Sequence, residues 1–591
     1  MPPKWKHREL KQQSKTNTED QSKESEKQAL TATRVLQILR LPAALLTLAA
    51  LASRSSQASL SPIYGAIPSS VNHAEAVTAT VLLGCVWRYY FNGVDGRANV
   101  LPYLALWAFW LPAAEHALFK YSGPLGPVMG AILLGFLSCH TIIIPSAYVA
   151  AESLESLNLP DMLGPIIGAG LPAVVMDLLF FRPLETLFTG WLPLSHAYLS
   201  FLSPVKLQLM IAAGYALVSP VKPYWLISLA VPAVLYSGLA NPHFDAPITT
   251  NTLNTALQPH NWTLVDRQWS NTGYLSVLES TEMQYRVMRC DHSLLGGEWL
   301  LTDDRRKEGW KVNEPVYVVF EMLEAVRLLE LGTLVRDSEA EALVVGLGVG
   351  TAPKALMAHG INTTVVELDP AVHRLATKYF DLPSEHTAVL QDAVAWVDDE
   401  AAKGTRKYDY IIHDVFTGGA EPLSLFTDVF LGNLRSLLNP SGAIALNYAG
   451  DLGLDLTSRI LNTIDHAFDG QCKIYRDQPP TPSSDAETSS RTDAPKEDFL
   501  NMVVFCRNSP GPIVFREPTA ADFLGSKSRE HHLLPRPELE IDFPLRRDED
   551  RRGEILRRGE EGAWRSQQAE SAIRHWQIMR KVLPDAVWEL W

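Results

Sequence analysis

Between Glu341 and Asp414 the chain repeats one unit, an apolar run of strand length followed by a stretch with helical spacing. Ala342-Leu343-Val344-Val345 reads as a short buried strand. Gly346-Leu347-Gly348-Val349-Gly350-Thr351 follows, and then a helix over 352–359. Thr363-Thr364-Val365-Val366-Glu367-Leu368-Asp369 is a second strand ending in acids, followed by a helix over 370–379. A third strand runs into Gln391-Asp392-Ala393, with a helix over 394–402 behind it. Tyr408-Asp409-Tyr410-Ile411-Ile412-His413-Asp414 is a fourth strand. The order βαβαβαβ predicts a parallel, doubly wound, Rossmann-like α/β sheet with helices on both faces.

In such a sheet the chemistry collects at the carboxyl ends of the strands. Glycines after the first strand let the backbone turn sharply and approach a ligand closely. An acid at the end of the second strand, here Glu367, sits where a carboxylate takes both ribose hydroxyls of an adenosine. A dinucleotide loop reads GxGxxG, whereas Gly346, Gly348 and Gly350 are spaced GxGxG. This spacing favours a nucleoside ligand without a diphosphate, such as S-adenosylmethionine (AdoMet). Gly346, Gly348, Gly350, Glu367, Asp392 and Ala393 are therefore the expected cofactor-binding residues.

The charge is unevenly spread. Of 591 residues, the 200 from Leu41 to Ala240 hold 15 charged side chains, and residues 241–591 carry a net charge of −17. The mean hydropathy of −0.01 averages over that split. Apolar stretches at 35–52, 75–92, 100–118, 125–146, 162–181, 186–203, 206–220 and 223–240 approach the ~20 residues that a bilayer span needs. Trp87, Tyr89, Tyr90, Trp107, Trp110, Tyr224 and Trp225 sit at several of their ends, as an interfacial belt does. The expectation is an α-helical transmembrane bundle of seven or eight spans over 35–240, an integral multi-pass protein with the lipid bilayer as partner, behind a disordered polar tail at 1–34. The basic excess of that tail favours the cytosol. Glu115 and Asp177 are ionisable groups in or near spans, the one feature that suits a transporter. The net charge of −14 argues against a nucleic-acid partner.

Upstream of the glycine loop, alternation through Tyr274, Leu275, Val277, Leu278, Tyr285, Val287 and Met288 predicts a small β-meander. With the helical spacing of 316–331 it forms a unit over 265–330. With the meander, the glycine loop, Val366-Glu367-Leu368-Asp369, Asp392-Ala393 and Tyr408 to Asp414, the region 265–506 resembles the spermidine/spermine synthase family, within the AdoMet-dependent methyltransferase folds. Val277-Leu278-Glu279-Ser280 and Cys290-Asp291 match that family's N-terminal β-domain. Phe416 to Pro422 and Leu425-Phe426-Thr427 resemble members fused to membrane segments. Together with Leu446-Asn447-Tyr448 and Asp451 to Leu454 they also resemble the spermidine-synthase-like half of a eukaryotic elongation-factor methyltransferase.

The resemblance implies a transferase that uses AdoMet or decarboxylated AdoMet, with Asp414 as the catalytic base that orients and deprotonates an attacking amine. It implies substrate contacts from Tyr317 and from the position of Thr417. The departures are chemical. Val349 stands where aminopropyltransferases hold the cofactor amine with an acid, Thr417 replaces a second acid, Thr272-Gly273 replaces a Tyr-Gln pair, and Val319 replaces a further acid. A polyamine is a chain of ammonium charges that needs carboxylates. Its half of the site is depleted, which favours methyl transfer to a small or protein-borne amine over aminopropyl transfer. A non-catalytic membrane scaffold is the competing reading. AdoMet supply, together with the sequons Asn261-Trp262-Thr263 and Asn362-Thr363-Thr364 (the second beside a core strand), favours a cytosolic soluble domain. A homo-oligomer is also compatible.

Residues 477–497 read as a disordered insertion between the last two antiparallel strands of the 340–506 domain. Residues 507–591 read as a charged tail with a helix over 563–582. The five cysteines, Cys85, Cys139, Cys290, Cys472 and Cys506, are odd in number, widely spaced and without CxxC. Neither a disulfide framework nor a metal site is expected from them.

Overall fold

The computed structural model describes residues 6–591 apart from 92, 156–173, 200–201, 221–223, 333–334, 417–418, 420, 480–498, 546–550 and 552, with backbone alone for 6–33, 194–198, 224 and 227. The chain forms a helical N-terminal half, a five-stranded meander and an eight-stranded sheet.

The meander is antiparallel in simple order: β1 (Trp262–Trp269), β2 (Tyr274–Ser280), β3 (Tyr285–Cys290), β4 (Ser293–Trp299) and β5 (Glu314–Pro315). The large sheet contains β6 (Glu341–Val345), β7 (Asn362–Glu367), β8 (Thr387–Leu390), β9 (Tyr408–His413), β10 (Leu438–Asp451), β11 (Cys472–Arg476), β12 (Phe499–Arg507) and β13 (Glu540–Ile541). Its order is β13-β11-β12-β10-β9-β6-β7-β8. Strands β8, β7, β6, β9 and β10 are parallel, and β12, β11 and β13 pair antiparallel beyond them. Every residue of β9 is buried, as a central parallel strand requires. From β6 the chain winds outward through β7 to β8, then returns to β9 on the other side. The reversal opens a crevice between β6 and β9, where ligands of doubly wound sheets bind. Asp369 and Asp392 cap the helices Pro370–Tyr379 and Ala393–Lys403, so two of the strand-end acids also start helices.

The fold corrects the membrane expectation. Among the described residues two helices, Arg34–Tyr64 and Ser122–Glu155, are long and apolar enough to cross a membrane, and more than half of the second one's apolar window is buried inside the protein. That is the condition of a core helix as much as of a span. Among the described residues a seven- or eight-span bundle is not supported, and the stretch 162–181 lies largely outside them. A low count of charges misled because uncharged polar groups carry the interior. Ser53 donates to Glu185 at 2.5 Å, Gln208 donates to Glu115 at 2.9 Å, and Ser56 pairs with Ser138 at 2.7 Å, all buried. Large apolar side chains do stay exposed on these helices, Leu179, Leu217 and Trp225 among them.

Residues 6–34, expected to be disordered, form the start of one helix, Lys6–Tyr64. No Gly or Pro falls between Lys6 and Leu41, and Lys, Glu and Gln there are good helix formers. The 477–497 insertion lies almost wholly outside the described residues, and it joins β11 to β12. Cys472 and Cys506 form a disulfide across those two strands. Their spacing of 34 residues hides what the strand register reveals, since Cys472 sits directly opposite Cys506.

The C-terminal tail is not a solvated appendage. The helix Arg565–Val582 packs between the N-terminal helices and the sheet-bearing half, and Trp588 and Trp591 are among the most completely buried large side chains of the protein. The Arg289 side chain, fully buried on β3, donates to the carbonyls of Asp291, Pro62, Val587 and Trp588. One guanidinium thereby ties the meander, the end of the first long helix and the C-terminus together.

Candidate active site

A cavity of about 420 Å³ opens at the carboxyl ends of β6, β7, β9 and β10. Gly346, Gly348, Glu367, Asp392, Ala393, Asp414 and Tyr317 all line it, so residues spread over nearly 100 positions converge on one space.

The glycine loop does two jobs. Gly346 has φ +88°, and a Cβ there would collide with the carbonyl oxygen of Asp414. Gly348, at φ +54°, would place a Cβ 2.5 Å from the Leu295 carbonyl oxygen on β4. The first glycine lets the loop lie against Asp414, and the second lets the meander close over the loop. Gly350 does not line the cavity. At φ +84° it begins the helix Thr351–Ala358, and its α-carbon faces Leu382. Val349 also points away, buried in the core beside Gly296, whose missing Cβ leaves room for it.

Glu367 is buried at the end of β7, and its carboxylate accepts from the backbone N–H of Leu347 at 3.0 Å and of Asp369 at 2.8 Å. Burial, with Asp369 nearby, pushes its pKa up to about 7 despite those bonds. Each carboxylate oxygen keeps acceptor capacity toward the cavity. Asp392 spends one oxygen on the N–H of Val394 at 2.7 Å, capping its own helix, and stays exposed at the rim.

Asp414 follows β9, its backbone N–H bonded to the Val345 carbonyl at 2.9 Å. Its side chain accepts from Asn447 Nδ2 at 2.8 Å. Its exposure is to the cavity rather than to bulk solvent, and desolvation raises its pKa to about 6. Asn447, on β10, entered the sequence reading only as part of the Leu446-Asn447-Tyr448 strand and not as a site residue. Its signal was its place at the carboxyl end of the strand next to β9, which only the strand pairing supplies. The hydroxyl of Tyr317 and Oδ1 of Asn447 are buried without a partner among the described residues, and burial pushes the phenol's pKa up. Thr417 lies outside the described residues.

The C-terminal helix closes the cavity with His575, Ile578 and Met579, residues that sequence reasoning left in a charged tail. Thr272 lines the wall, its hydroxyl donating to Asp369 at 2.7 Å. Among the described residues no group of three or more His, Cys, Asp or Glu is arranged to hold a metal ion.

These features fit an AdoMet-type cofactor. The volume is that of a small-molecule pocket, roughly 300–1,000 Å³. Bare backbone, a ribose-reaching carboxylate and two orphaned polar atoms line it in one place. Bound there, the cofactor supplies an electrophilic methyl group on a positively charged sulfur.

The fold and site define an AdoMet-dependent methyltransferase. No protein-family model matches the chain. An N-terminal histidine N-methyltransferase of Emericella nidulans is 39% identical over 562 residues, 93% of this chain and 97% of that protein. The chain belongs to the family of that enzyme. A polyamine aminopropyltransferase of Vibrio vulnificus is 36% identical over 126 residues, 21% of this chain and 42% of that protein. Among solved structures, a probable spermidine synthase from Corynebacterium glutamicum covers 50% of this chain and 95% of its own, at 15% identity and a TM-score of 0.35. The spermidine-synthase-like resemblance holds at the level of the family, and the chemistry is AdoMet-dependent methyl transfer.

Proposed function

We propose that the protein methylates a ring nitrogen of a histidine at the amino terminus of a peptide or protein. The observation that carries this reading is the extent of the likeness to the Emericella nidulans enzyme, which runs through both halves of the chain. The site's chemistry supports it. Val349, at the position where aminopropyltransferases hold an amine, is packed into the core and offers no carboxylate. What remains at the acceptor end is Asp414, held by Asn447, with Asp477 farther along the same wall beside Asn501.

A neutral imidazole has one N–H and one lone pair. Asp414 accepts the N–H, fixes the tautomer and leaves the other nitrogen's lone pair free to attack. As that nitrogen bonds to the methyl carbon, the carbon–sulfur electron pair leaves with the sulfur. The ring N–H proton passes to Asp414, so the product departs uncharged. A base in this position contributes about 10²–10⁴-fold. Asn447 keeps the carboxylate aimed and offsets part of its desolvation.

The experiment is direct. The purified full chain is given AdoMet and a histidine-first peptide, the same peptide with histidine second, or putrescine with decarboxylated AdoMet. Mass spectrometry should find one added methyl on the histidine-first peptide alone. Putrescine turnover, or equal methylation of both peptides, rejects the reading.

A further inference from the structure

We infer that the acceptor end of the cavity is completed by the C-terminal helix Arg565–Val582, and that His575 on it binds the methyl acceptor. The inference deepens the proposed function and rests on it.

The cavity divides along the sheet. Glu367, Asp392 and the glycine loop occupy the β6–β7–β8 side, and Asp414 and Asn447 the β9–β10 side. His575 stands over the second side. Its ring lies 4.6 Å from that of Phe416, two residues beyond Asp414, and 6.1 Å from that of Phe499 at the start of β12. Gly419, in the same loop as Phe416, faces the imidazole Cδ2. His575 therefore touches the segment that carries Asp414 and borders the space beside it.

Among the described residues the ring's hydrogen bond is that of Nε2 with the Ser293 hydroxyl of β4 at 3.2 Å. The ring is uncharged, since burial pushes its pKa down to about 3. It therefore offers the acceptor a neutral hydrogen-bonding atom without competing with Asp414 for the proton. Ser293 can donate or accept, so either tautomer of His575 can be held.

The helix is fixed well enough for such a role. Trp576 Nε1 donates to the Ile63 carbonyl at 2.9 Å, Gln568 donates to the Glu421 carbonyl at 2.8 Å, and Arg574 pairs with buried Asp451. These contacts set His575 before any acceptor arrives, which lowers the ordering cost of binding.

His575→Phe keeps the aromatic packing and removes the hydrogen bond, and His575→Gln restores a polar group. Each is compared with wild type for KM and kcat on the histidine-first peptide, for AdoMet Kd and for thermal midpoint. Loss of one buried neutral hydrogen bond should raise KM about ten-fold in the Phe variant. AdoMet Kd and midpoint should hold, and the Gln variant should recover part of the loss. An unchanged KM in the Phe variant overturns the role of His575 while leaving the methylation reading intact. So does a parallel rise in AdoMet Kd, which marks a structural residue. A wild-type protein that methylates no histidine-first peptide overturns both.

Discussion

At the residue scale the site rests on two carboxylates whose pKa values have been raised, and each shift has a measurable sign. Asp414 acts as a base when ionised, and its pKa is about 6. Activity should fall as pH drops through that value. In a pH profile of kcat/KM the acid limb should lie near 6, and Asp414→Asn should reduce kcat by about 10²–10⁴-fold with AdoMet affinity retained. An unchanged turnover in that variant removes Asp414 from the mechanism. The same shift acts oppositely on stability. A folded-state pKa above the unfolded one means that the folded protein binds more protons between about 4 and 6, so this group's contribution declines as pH rises through that window. Glu367 gives a second test. Ribose hydroxyls bond best to its ionised form, so AdoMet Kd should weaken as pH falls through about 7. Glu367→Ala removes charged hydrogen bonds worth about 1.5–3 kcal/mol each, and calorimetry should find AdoMet binding weakened at least ten-fold. Both acids were legible in the sequence because each ends an apolar run, and a strand's end is where a doubly wound sheet does its chemistry. Asn447 and His575 were not. One is placed by the pairing of β10 with β9, the other by a helix more than 150 residues downstream of Asp414. Gly350 was over-read for the opposite reason. The pattern grouped three glycines, whereas the third serves the turn into its helix.

At the element scale, periodicity worked where one face or one run is buried, and failed where composition had to stand in for packing. The four parallel strands between Glu341 and Asp414 and the meander appear in the predicted order. In the helical half, sparse charge was taken for lipid contact. It reflected helices whose buried polar side chains satisfy one another in the interior, Ser56 with Ser138 and Gln208 with Ser59 and Glu115. The disulfide belongs to this scale, because residues 34 apart become neighbours only through the antiparallel register of β11 and β12. It bears on the expected cytosolic placement, since disulfides persist in oxidising compartments. Protein trapped with a thiol reagent in intact cells and then denatured should show three reactive thiols, Cys85, Cys139 and Cys290. Five would mean that the bridge is open in the cell, and would favour the cytosol.

At the scale of the whole molecule, the C-terminus joins the two halves of the chain. His243, between the helices Tyr224–Leu239 and Pro247–Leu257, stacks on Trp591 at 4.5 Å and bonds the Glu589 carbonyl at 2.9 Å. Ser122 donates to the Glu589 carboxylate at 3.0 Å. From the other side, Arg289 reaches Val587 and Trp588. Removing this segment exposes apolar surface on both partners and takes two of the four carbonyl acceptors from a buried guanidinium. Trp588→Ala alone should cost about 3–5 kcal/mol, the usual range for deleting a buried aromatic. Its effect should spread beyond the cavity it leaves. The Arg565–Val582 helix is held partly through Trp588, and the acceptor wall of the site is held through that helix. The variant should therefore show a lower thermal midpoint and a higher KM for the acceptor peptide, while AdoMet Kd, set by the loop after β6 and the end of β7, moves little. A loss confined to stability would mean that the helix keeps its place without the strap. A loss of AdoMet affinity as large as the loss of acceptor affinity would mean that the strap supports the whole sheet rather than one wall of its cavity.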